Sequence, residues 1–470
     1  MNRSAALEFT RQDRIVKLVA CVCVLTSPWW VYNLCFPFAE DFGIDNQPLA
    51  FLPILAIVAT LQAGLIQWKS RGNRFLAEVM LVSFVLKLAA VSLFHYIIGP
   101  FYNGEADMIG YFTHAQAIIA KFELTGTWTI LHPITNTNFI IMVTSWLMFV
   151  FGDTFQGLMI IFASISFWGQ YLFYRAYCIA FPGGQHQRAM LFMFFLPSIV
   201  FWPAAIGKDA LVFACIGGCC YAFAKLTRSN SPTAFVFMSA SLVGVALVRP
   251  HIAGMICISL AGAYLLSRNT HGILGMSAKS LGVPLLVIAS AYLIAEAETF
   301  VDLKDVQQSQ KVMQHVGDAN YIGGSAFGNS YGYRLAAAPF LLFRPFPWEA
   351  RSVQAGIASV EAFCLMIFVW RHRKVLQASF VRSRDQAFVL FLWIYCVEFL
   401  LIFAGSMTNF GLLARQRIML IPVALMIALW EPAEDGNYAR LYRPPSNTFR
   451  VSSYVPSLTP IVQDRGINRG

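Results

Sequence analysis

Charge is what this chain has least of. Asp, Glu, Lys and Arg together make up 12% of its 470 residues, about half the roughly 25% of an ordinary soluble domain. With 57% hydrophobic residues and a mean hydropathy of +0.60, that scarcity excludes a soluble enzyme, a disordered chain and a fibrous one. Other signatures are missing too. The ten cysteines never form a CxxC…CxxC pattern, and most lie inside apolar runs (Cys21, Cys23, Cys215, Cys219, Cys220, Cys257, Cys364, Cys396), which argues against a metal centre or a disulfide framework. No GxxxxGK[ST] loop is present, so a pump driven by its own nucleotide site is not expected. No repeat of 20–50 residues occurs. The basic stretch from Arg11 to Lys17 precedes the first apolar run, but no small-residue cleavage site follows it; the run reads as a retained first helix.

What remains is a membrane chain. Lipid offers no partner for backbone polar groups, so long apolar stretches must close as helices of roughly 20 residues. The expected fold is all-α and polytopic, with about twelve spans: 15–35, 49–67, 76–98, 156–177, 187–204, 209–226, 232–248, 252–267, 277–297, 353–371, 386–404 and 412–430. The 41 Phe and 11 Trp suit lipid-facing surfaces and membrane interfaces. A further apolar run, 137–151, is short and bounded by Pro133 and by Gly152–Asp153, as interfacial segments often are.

The net charge of +10 is a topology signal. If the N-terminus is inside and 137–151 does not cross, most of the 34 basic residues fall on the inner side, as the positive-inside rule requires. If that run crossed, the Arg371–Lys374 cluster would face out. Nucleic acid is therefore not implied. The expectation is an integral protein of the bacterial inner membrane with both termini cytoplasmic. Residues 1–430 would form a single transmembrane domain. This topology leaves two large external regions, 99–155 and 298–352. The polar stretch 431–470 would be an internal, poorly ordered tail.

Candidate chemistry collects on the external side. In the first external loop Glu105 and Asp107 are two apart, and Asp107, Tyr111 and His114 share one face of a helix starting near Asp107. The plain alternative for Asp107 is an acid that merely favours a helix N-terminus. Asp209 opens a helix at the next turn beside Lys208, and its plain alternative is capping. Arg249 and His251 stand at a third turn, and Arg415 and Arg417 at the last; a guanidinium there suits a phosphate or a lipid headgroup. The region 298–352 mixes glycines with Tyr321, Tyr331 and Tyr333 before Arg334 and Arg344, a composition that suits a sugar-binding lid or simple flexibility. Three ionisable groups, Lys87, Glu361 and Glu398, fall within spans, where charges usually pair or line a polar cavity; Lys87 with either glutamate is the expected pair.

The order Asp107, Tyr111, His132-Pro133, the run 137–151 and then Phe151-Gly152-Asp153 resembles the first external loop of the GT-C glycosyltransferases. These are polytopic enzymes that use polyprenyl-linked sugars, the aminoarabinose and protein-mannosyl transferases among them. Asp209 and the later arginines match further external positions of that group. Met108 departs from it, since an acid often follows the first one there. The resemblance implies a GT-C-like fold with external juxtamembrane helices, including 137–151. It also implies transfer of a sugar from a polyprenyl-phosphate donor to a glycan, lipid or protein acceptor. Asp107 would be the base, with Glu105 and Asp209 orienting the acceptor or, with Asp107, a divalent cation if one is used. Tyr111, His132, Lys208, Arg249, His251, Arg344, Arg415 and Arg417 would contact substrate. Two rivals stand beside it. A polymerase or ligase of polyprenyl-pyrophosphate glycans would lean on Arg249, Arg344 and Arg415. A carrier or flippase for lipid-linked sugars would lean on the mid-span charges.

Overall fold

A computed structural model of the chain describes residues 51–102, 106–229, 231–268, 338–350, 353–406 and 410–431. Among these residues the fold is all-helical, with no strand. The expected spans 15–35 and 277–297, Glu105, most of the region 298–352 and nearly all of the tail lie outside them.

The helices, in chain order, are α1 Leu52–Lys69, α2 Arg74–Tyr102, α3 Asp107–Thr125, α4 Asn136–Phe151, α5 Phe155–Ala180, α6 His186–Phe195, α7 Pro197–Phe201, α8 Lys208–Leu226, α9 Pro232–Val248, α10 Pro250–Leu266, α11 Val353–Arg371, α12 Arg373–Val381, α13 Ala387–Ser406, α14 Phe410–Gln416 and α15 Ile421–Ala428. Four of them are long and apolar enough to cross a membrane, or up to seven spans if each of three bent pairs counts as one. The twelve expected crossings are not reached. Two lie outside the described residues, and others, including α9 and α10, are apolar helices of only 17 residues. Within the region 99–155 the two expected helices form, one starting at Asp107 (α3) and one over the run 137–151 (α4), and they pack on each other. The α3 helix ends at Gly126, whose φ of +67° supplies the left-handed turn that stops it.

The most extensive packing joins α5 to α8. Glycine makes this possible: a Cβ on Gly169 would lie 2.7 Å from the Cα of Ala214, and one on Gly217 would lie 2.8 Å from the Gly169 carbonyl. Small residues let two helix backbones approach in a setting where the hydrophobic effect does little to join them.

Two expected continuous spans are broken. The run 187–204 bends by 55° between α6 and α7, and the run 412–430 bends by 55° before α15. The first break follows from the sequence. Pro197 has no N–H to donate, and Pro203 has none for the carbonyl four residues before it, that of Ile199. Buried side chains fill the gaps. The Ser198 N–H donates to Glu361 at 2.7 Å, and the Ser198 hydroxyl donates to the same carboxylate at 2.6 Å. Ser83 donates to the Phe194 carbonyl, left free by the turning of the Ser198 amide. Lys87 donates from Nζ to the Ile199 carbonyl at 3.0 Å. The expected pairing of Lys87 with Glu361 or Glu398 is therefore corrected. Lys87 serves a proline-orphaned carbonyl, Glu361 serves Ser198, and Glu398 accepts from Ser259 at 2.9 Å.

Chain alternation sorts the basic residues by end. The α8 helix begins at Lys208 and α10 begins just after Arg249, whose side chain bonds Asp209, so both start at one end of the bundle. At the other end, Arg228 donates to the Ala180 carbonyl and the Arg268 amide donates to the Arg384 carbonyl. Lys225, Arg228, Arg268 and the stretch 371–384 thus share the end opposite Asp209.

Candidate functional site

Two helices start where the site forms. The α3 helix begins at Asp107 and α8 at Lys208, and each carries an acid in its first turn. Neither acid caps its helix through a side-chain hydrogen bond. Both carboxylates turn instead to arginines from much later in the chain. Arg249 occupies the non-helical residue between α9 and α10, where Pro250 starts the next helix. From there its Nη2 donates to Oδ1 of Asp209 at 2.8 Å, and its Nη1 donates to the Gln416 side chain. Arg415, in the last turn of α14, donates from Nε to Oδ2 of Asp209 and from Nη1 to Oδ2 of Asp107 at 2.7 Å.

Exposure grades along this chain of charges. The Asp209 and Arg249 side chains are 5% and 10% exposed, Arg415 is 24% exposed and Asp107 62%. The buried end is a fixed ion pair, closed by Gln416. The open end is a carboxylate at a surface. Asp107, Asp209 and Arg415 line one partly open cavity of about 170 Å³, with Trp202 and Gly207 on its wall. Phe94 lines it as well, and its ring stacks on Phe201 at 4.0 Å between centroids. A Cβ on Gly207 would lie 3.5 Å from the Tyr111 ring and 3.9 Å from Nη2 of Arg415, in ordinary contact with both.

Tyr111 is one turn beyond Asp107 and 7% exposed. Its phenol is pushed up to about 12, first by burial and then by the neighbouring Asp107 carboxylate. It stays neutral and can only donate or accept a hydrogen bond. Lys208 is half-buried and close enough for the charges of Asp107, Asp209, Arg249 and Arg415 to act on it. His251, half-buried, feels Arg249 and Lys208, and its ring lies 6.3 Å from that of Phe403.

The remaining expected site residues are placed elsewhere. His132 is exposed in the connection between α3 and α4. Arg344 is buried and bidentate on Glu349, held through Nε at 3.2 Å and through Nη2. Arg417, two residues after Arg415, points away from the cavity. It is 1% exposed and donates to the carbonyls of Arg344 and Ala358, each at 3.1 Å, with Glu361 at 3.6 Å. Alternation explains the split, since residues two apart near a helix end face different sides. Arg417 and Glu361 tie the segment carrying Arg415 to the broken α6–α7 span, which leads to Trp202 and Gly207. Gln416, which closes the Arg249 pair, was not expected; a single neutral amide between two arginines gives no sequence signal.

Among the described residues no group of three or more His, Cys, Asp or Glu side chains is arranged to hold a metal. The place between Asp107 and Asp209, where a divalent cation would sit, is taken by the Arg415 guanidinium, which itself supplies positive charge there. Chemically the arrangement offers one accessible carboxylate, a cation partly free to meet an anion, the positive N-terminal ends of two helices, and an aromatic wall. No family model, no curated protein and no solved structure matches this chain, so the functional reading rests on this geometry.

Proposed function

We propose that the protein is an integral membrane glycosyltransferase that moves a sugar from a polyprenyl-phosphate donor to an acceptor on the external face of the membrane. The observation that carries the reading is the bridge from Arg415 to both Asp107 and Asp209 at the mouth of the cavity. It joins a solvent-facing carboxylate to a cation fixed from behind by a buried acid, at one end of a bundle of apolar helices.

The reaction follows from these roles. Asp107 accepts the proton of an acceptor hydroxyl, whose oxygen attacks the sugar C1 from the face opposite the phosphate. The C1–O bond to phosphate breaks, and its electron pair leaves with the polyprenyl phosphate. Arg415, with Lys208 beside it, stabilises the charge on that leaving group. Asp209 and Arg249 hold Arg415 in place. Phe94, Trp202 and the Tyr111 ring give the sugar and first isoprene units an apolar wall. In this reading the cavity end faces the periplasm, and the basic end faces the cytoplasm of a bacterial cell.

A carrier for lipid-linked sugars is the second reading, favoured by the three bent spans. Two of the three mid-span ionisable groups speak against it, because Lys87 and Glu361 are engaged at the helix break rather than on an open path.

The test is donor binding. Purified protein in detergent should retain undecaprenyl phosphate in native mass spectra. Arg415→Gln should weaken that retention by about 10- to 100-fold, the range of one charge-assisted hydrogen bond. Equal retention by the two proteins would remove the phosphate from this cavity.

A further inference from the structure

The opposite end of the bundle carries a second feature. The α11 helix is apolar and presents Ile357, Val360 and Ile367 outward, each close to half exposed or more. At His372 the chain turns by 63° into α12. If α11 crosses a membrane, α12 leaves it closer to the membrane plane. Around that elbow stand Arg371, Arg373, Lys374, Arg382 and Arg384, all exposed. Among the described residues no carboxylate pairs with any of them; the one acid of the stretch, Asp385, faces Arg268 at 3.6 Å. Large apolar groups are exposed in the same stretch: Trp370 at 68%, Phe380 at 60% and Val381 at 80%. The Arg373 guanidinium lies over the Trp370 ring at 5.1 Å. The elbow is also braced, since Trp393 of α13 donates to Ser379 at 3.2 Å and packs its ring against Phe380.

A solvated charge run needs no exposed Trp, Phe and Val beside it, and a surface that only meets lipid tails needs no five unpaired cations. Together they match one environment, in which rings and aliphatic groups enter the acyl boundary while guanidinium and ammonium groups meet phosphates. We propose that the elbow 370–384 is a binding site for anionic phospholipid headgroups, seated where α11 leaves the bilayer. The site is separate from the Asp107 cavity and does not depend on the transferase reading. Its ligand carries a phosphodiester monoanion and two acyl chains, and the braced elbow selects it over zwitterionic lipid.

The experiment uses the full chain in nanodiscs of phosphatidylcholine with phosphatidylglycerol as the minor lipid. Lipids retained on release of the protein are counted by native mass spectrometry. Each basic group near an anionic surface is worth about fivefold in occupancy. The wild type should therefore hold phosphatidylglycerol at several times its share of the disc. R371Q/R373Q/K374Q, changes on an exposed surface, should bring the ratio close to that of the bulk. Raising salt to 1 M shortens the Debye length from about 8 Å to about 3 Å, and should lower the wild-type enrichment without any mutation. No enrichment in the wild type, enrichment equal in the variant, or enrichment indifferent to salt would each overturn the proposal.

Discussion

Nη1 of Arg415 lies 2.7 Å from Oδ2 of Asp107, although 308 positions separate the two residues. The same guanidinium meets the buried Asp209 through Nε, so one planar cation spans two acids from two helix starts. Lysine, a point charge, could not hold both. The bridge divides the two acids: the deeper one fixes the arginine, and the shallower one stays open to solvent.

The Asp209–Arg249 pair is structural in this scheme, and its energetics should show it. Removing one partner of a buried pair leaves an uncompensated charge and costs about 3–5 kcal/mol. Asp209→Asn leaves the buried Arg249 with only the neutral Gln416 and should therefore destabilise the protein strongly, whereas Arg249→Met leaves Asp209 still bonded to Arg415 and should cost less. Asp209→Asn/Arg249→Met should lose less than the sum of the two single changes, by a coupling of at least about 1 kcal/mol. Thermal or denaturant unfolding in detergent measures this cycle, and strictly additive losses would mean that the two side chains do not depend on each other.

Lys87 gives the opposite expectation. It donates to the Ile199 carbonyl, which Pro203 leaves without a helical partner. Lys87→Met orphans that carbonyl and should cost about 1–3 kcal/mol of stability, while sugar transfer per folded molecule stays within a few-fold of the wild type. Abolished activity in a protein that still folds would favour a carrier mechanism through the helix break.

Parts of this arrangement were legible in the sequence. Low charge and long apolar runs point to a helical membrane fold, and the alternation of apolar runs places Asp107, Asp209, Arg249 and Arg415 on one side, the end at which they meet. What the one-dimensional pattern could not carry was side-chain direction at helix ends. Arg415 and Arg417 are equivalent by spacing to the membrane edge, yet one enters the cavity and the other is buried against Glu361. The mid-span charges misled for a related reason. Opposite charges in hydrocarbon suggest pairing, but backbone carbonyls and amides orphaned by Pro197 and Pro203 compete for the same donors and acceptors, and here they win. Gln416 carried no signal because an amide closing an ion pair leaves no pattern.

Tyr111 supplies a test by pH. Burial and the nearby Asp107 raise its phenol to about 12, against an ordinary 10.0. The fold thus favours the neutral phenol. Any stability it contributes is fully present below about pH 10 and is lost as pH rises toward 12. The ultraviolet difference titration between wild type and Tyr111→Phe should show no phenolate from this residue below about pH 11. A step near pH 10 would mean that the ring lies in open solvent, away from the acids.

If Asp107 removes the acceptor's proton, the transfer rate of Asp107→Asn with a polyprenyl-phosphate sugar donor reports it most directly. Asparagine keeps the size of the side chain and suits a helix start, and its amide oxygen can still accept from Arg415, but it cannot take a proton at neutral pH. The rate should fall by about 10²- to 10⁴-fold, while undecaprenyl phosphate still binds and the protein is made in normal amounts. Transfer at close to the wild-type rate would reduce Asp107 to a helix-end acid and contradict the account.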